Sequence, residues 1–300
     1  MSLLDWAIPV LFLVGMPLLV VVATAGFDGM RPAVAIMRRR LQVYTSYPFA
    51  VFATLLHGVV LVVLVATIGA YLFPDLRDFT IGRDGGVRFI TYLTVGLIAW
   101  PTIWEGYEIT QRNVRSEQTT GIFETLIATP VGVRVLPLAY LLISFPVAIV
   151  IGTVAYFLFT HFGGVGFPIS GPVQVLNVVL VLATGVFMTW GLGLFLGGLT
   201  ALYKETGPLG GLLKMLMLVF SNVYIPINVF PAPFQVLSTL LPLTWAFASI
   251  RDVFAGGTVV QHMGTYLVFL GYTIAIVLAG LWVFERSIDR ARQDGTTGSY

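Results

Sequence analysis

The run VLPLAYLLISFPVAIVIGTVAYFLFTHFGGVGFPISGPVQVLNVVLVLATGVFMTWGLGLFLGGLTALY, from Val135 to Tyr203, contains no Asp, Glu, Lys or Arg. A helix rises 1.5 Å per residue and the hydrocarbon core of a bilayer is about 30 Å thick, so about 20 apolar residues cross it. The run is too long for one crossing. Its middle, HFGGVGFPISGP at 161–172, gathers the Gly and Pro that break helices. Two membrane helices, 135–160 and 173–201, joined by a short loop, are therefore predicted. The fold class that follows is an all-α integral membrane protein.

Working outward, residues 6–27, 41–74, 89–104, 215–250 and 253–284 are also free of charge. They extend the prediction to seven spans: 6–26, 49–73, 88–107, 135–160, 173–201, 208–230 and 264–284. Composition agrees. Of 300 residues, 57% are hydrophobic and 10% charged, against about 25% charged in soluble domains. With 16 Lys and Arg against 14 Asp and Glu, the chain is too balanced to bind nucleic acid. Zero cysteines exclude a disulfide framework, a thiolate metal site and a cysteine nucleophile. His57, His161 and His262 are too far apart for a local metal motif, and in mid-span His57 reads as a packing residue.

Short basic loops stay in the cytoplasm. Alternating the seven spans puts twelve of the sixteen Lys and Arg on one side and only Arg77, Arg83, Arg88 and Arg251 on the other. The expected arrangement is a multi-pass cell-membrane protein with its N-terminus outside and its C-terminus cytoplasmic. The first segment, broken by Pro9, Gly15 and Pro17 and ending in ATAG, also fits a cleaved signal peptide. The lack of a basic n-region in MSLLD, and the MRRR stretch that follows, favour an uncleaved extra span over 1–28.

The longest hydrophilic stretch, Glu105 to Arg134, is too short to bury a core of its own. A phosphate-cradling GxxxxGK[ST] loop is absent; GPLGGLLKM at 207–215 lacks its Gly-Lys pair. Energy must then come from an ion gradient or a partner chain. Within the stretch, Ile122, Phe123, Leu126 and Ile127 form an apolar stripe, with Glu117, Gln118 and Glu124 around it, before Thr129-Pro130 stops the helix. So short a helix is unstable alone and needs a surface. Its acids suit a protein groove better than an anionic leaflet.

The run EQTTGIFETLIATP, Glu117 to Pro130, resembles the Glu-x-x-x-Gly-x-x-Glu-x-Leu-x-x-Thr-Pro signature of ABC-2 type transporter permeases, membrane subunits of one class of ATP-driven exporter. VYIPINVFPAPFQVLSTLLPLTWAFASIRDVFAGG, Val223 to Gly257, resembles that family's stretch between its last two spans, and FERSIDRARQDG its basic C-terminus. The resemblance covers roughly residues 31–294. It implies a six-helix permease core at 49–300, to which the extra N-terminal transmembrane helix is an addition, and a cytoplasmic interfacial helix at 29–48. It also implies a coupling helix at 115–130 that docks on an ATPase, carried here by Glu117, Gly121, Ile122, Phe123, Glu124, Leu126, Thr129 and Pro130. Arg38, Arg39 and Arg40 would face lipid phosphates or the ATPase, or merely set topology. No cofactor is expected on this chain, which is not itself an enzyme. ATP and Mg belong to two copies of a partner ATPase, and a second permease chain, identical or related, completes the transporter.

Pro226, Pro231, Pro233 and Pro242 interrupt an uncharged run, so residues 231–257 are expected to form two short helices dipping in from outside. The resemblance implies an outer gate there, with Pro226, Pro231, Pro242, Thr244 and Arg251. Thr244 reads as an N-cap and Gly256-Gly257 as a stop. Glu105, Glu108 and Arg112 read as a helix-end ion pair, Glu108 with Arg112. Gly191, Gly193, Gly197 and Gly198 suit close helix contact. The function expected is a permease exporting a drug, lipid or glycan-type substrate. The alternative is a gradient-driven secondary transporter or channel, which usually carries midplane charges that the spans here lack.

Overall fold

The computed structural model describes residues 4–24, 26, 28–46, 49, 60, 80–81, 87–121, 135–161, 164–169, 171–203 and 206–293. Nearly all of the predicted 49–73 span, and residues 122–134 with Ile122, Phe123, Glu124, Leu126, Thr129 and Pro130, lie outside the described residues.

The elements are α1 (Leu4–Thr24), α2 (Met30–Ser46), the two-residue strands β1 (Thr80–Ile81) and β2 (Val87–Arg88), α3 (Phe89–Thr119), α4 (Val135–His161), α5 (Pro172–Tyr203), α6 (Gly207–Phe220), a 3₁₀ turn (Ile227–Val229), α7 (Ala232–Leu240), α8 (Pro242–Phe254) and α9 (Met263–Gln293). The strands pair antiparallel, Thr80 opposite Arg88, just before α3. The fold is otherwise all-α. Among the described residues, α1, α4, α5 and α9 are long and apolar enough to cross a membrane, and α7 with α8 makes a fifth candidate bent by 84°.

Three predicted spans differ from the helices that form. The expected 88–107 span is the start of a 31-residue helix, about 46 Å long. Its continuation, ITQRNVRSEQT, is polar but rich in helix formers, so loss of hydrophobicity ends the membrane segment without ending the helix. Residues 115–119 of the expected coupling helix are therefore the last turns of α3. The expected 208–230 span stops at Phe220. Asn222 takes a left-handed φ of 61°, and Pro226 then holds the chain extended. At about 21 Å, α6 is too short to cross alone. At the other end, α9 runs past 284 to Gln293 and takes in the basic tail.

The core centres on α5, with α3 on one flank and α9 on the other. Gly191 and Gly198 let α9 approach: a methyl on either would lie 2.9 Å from the Cα of Val277 or Phe284. Gly193 sits against Tyr107 and Thr110 of α3, as does Gly197 against Val114. Small residues where helices must touch are the usual solution in lipid, which supplies no hydrophobic drive between helices. Trp190, wholly buried, donates its indole N–H to the Pro137 carbonyl at 3.0 Å, tying α5 to α4.

Contacts sort the helix ends into two groups. At one end Gln174 of α5 donates to the carbonyls of Val253 and Gly257 at 2.6 and 2.9 Å, and the Val259 N–H donates to Asn177 Oδ1 at 2.8 Å. Asp5, at the start of α1, accepts from the Thr258 hydroxyl at 3.2 Å, and Phe12 meets Tyr266 edge-on at 5.8 Å. The chain start thus shares an end of the bundle with the loop leaving α8. At the other end lie α2, the end of α3, the start of α4 and the turn between α5 and α6.

Candidate functional site

At that second end, the polar last turns of α3 meet α2 and the start of α4. Glu117, in the last turn of α3, is 1% exposed. Its Oε1 accepts from Arg40 Nη2 of α2 at 2.9 Å, and its Oε2 accepts from the buried Tyr140 hydroxyl of α4. A buried carboxylate is tolerated only when paired and hydrogen-bonded, and this one is both. One side chain therefore joins three helices. Four residues on, Gly121 has φ 70°, a left-handed conformation that only glycine adopts freely; its N–H returns to the Gln118 carbonyl at 3.1 Å. Glu117 fixes the root of the 117–130 segment and Gly121 turns the chain out of α3. Arg38 and Arg39 remain exposed on α2.

One to three turns before Glu117, a second ionic group forms between α3 and α6. Lys214 Nζ lies 2.6 Å from Glu108 Oε1, and Arg112 Nη2 lies 3.0 Å from Glu105 Oε2. The expected Glu108–Arg112 side-chain pair does not form. Arg112 instead reaches back two turns to Glu105, and only its Nε touches the Glu108 backbone carbonyl, at 3.3 Å; Lys214 takes the Glu108 carboxylate. Trp104 also donates to Glu108, at 3.2 Å, and stacks with Trp100 at 4.7 Å. A cleft of about 250 Å³ opens here, lined by Tyr107, Glu108, Arg112, Arg115, Lys214 and the glycines that start α6.

At the opposite end, residues 231–257 form two short helices, α7 and α8, meeting at a bend of 84°, with caps other than those expected. The N-cap of α8 is Leu241, without a side-chain bond, and Pro242 follows at N1, where a missing N–H costs nothing. Thr244 therefore lies inside the first turn, and its hydroxyl donates to the Ser238 carbonyl of α7 at 2.5 Å, fastening the bend. The stop is as read: α8 ends at Phe254, with Gly256 at φ 96°. Pro226 precedes the 3₁₀ turn and Pro231 caps α7.

Arg251 of α8 lays its guanidinium 3.6 Å over the Tyr92 ring of α3 and donates from Nη2 to the Val223 carbonyl at 2.7 Å. Tyr92 in turn donates to Asn222 Oδ1. The unravelled end of α6 is thus held by α3 and α8 together. His262 faces Asp252 at 3.4 Å.

Of the residues singled out in the sequence, the structure brings Arg40 to Glu117, and Arg251 to the chain just before Pro226. Glu108 and Arg112 line the cleft between α3 and α6. Tyr140, Lys214 and Tyr92 were not legible as site residues. An isolated Tyr or Lys carries no spacing signal, and their partners lie 23, 106 and 130 residues away.

A family model described as ABC-2 type transporter matches residues 32–255, from the start of α2 to just past α8. Among curated proteins, no match to the chain is found. With about three-quarters of its length matched, the chain belongs to the ABC-2 type transporter family.

Proposed function

We propose that this chain is the membrane permease of an exporter driven by a separate cytoplasmic ATPase. Two permease chains, identical or related, pair around a central path, and two ATPase copies dock on the 117–130 segments. ATP and Mg bind to those copies. ATP binding brings them together, pushes the coupling segments and turns the path from inward to outward access, a rigid-body switch between two states. The cargo is a drug, lipid or glycan-type molecule. The basic end of the bundle faces the cytoplasm and the N-terminus lies outside.

The observation that carries this reading is the Glu117 junction. Force applied to the 117–130 segment enters α3 at Glu117, and the ion pair to Arg40 with the hydrogen bond from Tyr140 hands it to α2 and α4 at once. A rigid joint at the root of the segment is what a lever requires and what a passive loop does not. The Arg251, Tyr92 and Val223 contacts at the other end suit an outer gate, which must hold a broken helix shut in one state. Reconstitution tests the reading. Liposomes holding the chain with its ATPase should accumulate cargo only when ATP is supplied; uptake driven by a proton gradient without any ATPase would support a secondary transporter instead.

A further inference from the structure

The cleft between α3 and α6 has a composition that coupling does not explain. Among the described residues, its lining carries three cations, Arg112, Arg115 and Lys214, against one acid, Glu108. The second acid, Glu105, is 12% exposed and sits behind Arg112 rather than in the lining. Arg112 and Lys214 keep 50% and 43% of their side chains exposed. An ammonium has three donors and a guanidinium five, so one carboxylate each leaves donors for a further acceptor. The cations are also staggered in depth. Lys214 lies seven residues into α6, about 10 Å from its start, while Arg112 and Arg115 lie progressively closer to the end of α3. Next in sequence to the lining residues Gly211 and Lys214, α6 exposes the apolar side chains of Leu212 and Met215, 54% and 66%. Gly211 meets nothing within 4 Å, which leaves that edge of α6 open.

We propose that this cleft binds the anionic head, phosphate or carboxylate, of an amphiphile. Lys214 and Arg112 take the charge, and the exposed Leu212 and Met215 of α6 take the start of the hydrocarbon. Several cations at graded depth suit a group that arrives along the leaflet. Glu108 positions Lys214 and limits the net charge, so an occupant is held without being trapped.

The proposal rests on the permease reading and is tested without the ATPase, so the two can fail separately. The full chain is placed in phosphatidylcholine bilayers with and without phosphatidylglycerol, extracted, and the phosphatidylglycerol it retains is counted by native mass spectrometry. Wild type should retain it. Lys214→Gln should weaken retention about tenfold, the scale of one charge-assisted hydrogen bond; Lys214→Arg should preserve it and Glu108→Gln should strengthen it. Inorganic phosphate that displaces the lipid identifies a soluble anion as the occupant, and failure to displace it identifies the headgroup. Equal retention by wild type and Lys214→Gln overturns the proposal, as does an equal loss in Arg290→Gln, an exposed cation near the end of α9. If Lys214→Gln does not fold, Glu108→Gln decides: no gain in retention overturns it.

Discussion

Glu117 and Arg40 form an ion pair at 2.9 Å although 77 residues separate them and the carboxylate is 1% exposed. The pair joins α2 to the last turn of α3. Tyr140 completes it from a third.

Removing the carboxylate is expected to cost more than a surface pair would. Glu117→Ala leaves Tyr140 without an acceptor and Arg40, 19% exposed, without its counter-charge. Breaking a buried pair costs about 3–5 kcal/mol; partial water access at Arg40 brings the expectation to about 2–4 kcal/mol. Glu117→Gln still accepts from Tyr140 and should lose less. Thermal denaturation of the solubilised chain measures both, and an unchanged midpoint in Glu117→Ala would show that the pair stabilises nothing.

Two glycines of the bundle should respond in opposite directions to the same methyl group. Gly191→Ala drives a carbon to 2.9 Å from the Val277 backbone, which cannot rotate away, so a loss of about 1–3 kcal/mol is expected. Gly271, inside α9 with nothing within 4 Å, should become more stable by about 0.5–1 kcal/mol as Ala, because glycine weakens a helix interior. Paired melting curves check the sign of each.

Arg251 should not tolerate lysine. An ammonium keeps the charge but loses the planar face that lies over Tyr92 and the fork that reaches Val223. Arg251→Lys is expected to cost about 1–2 kcal/mol and to loosen the 221–226 segment, seen as faster amide exchange there. Tyr92→Phe, which keeps the ring and loses only the bond to Asn222, should show a smaller effect. Equal exchange in all three proteins would show that Arg251 does not hold the 221–226 segment.

Much of this architecture was legible in the sequence because it follows from local chemistry. The charge-free runs marked α1, α4, α5 and α9; prolines marked the bend between α7 and α8; and Gly191, Gly193, Gly197 and Gly198 marked close helix contact on α5, though not which helices make it. What failed were boundaries where polarity and helicity part company. ITQRNVRSEQT leaves the apolar region and stays helical, which moved residues 115–119 from a separate coupling helix into α3. The partners of Glu108 and Glu117 were illegible for another reason. A carboxylate chooses among cations by position in space, and the four-residue spacing to Arg112 lost to Lys214, which packing of α6 against α3 brings within 2.6 Å.

The most direct test is made at Glu124, on the segment that Glu117 anchors. The solubilised chain and its Glu124→Arg variant are each mixed with the cytoplasmic ATPase, and complex formation and ATP-driven transport are measured along with the melting midpoint of the permease alone. The expected result is that Glu124→Arg keeps the wild-type midpoint while losing ATPase association and transport by about tenfold or more, since a like-charge or unpaired contact in a docking groove costs several kcal/mol. Wild-type association and transport in Glu124→Arg would contradict the coupling role of residues 117–130.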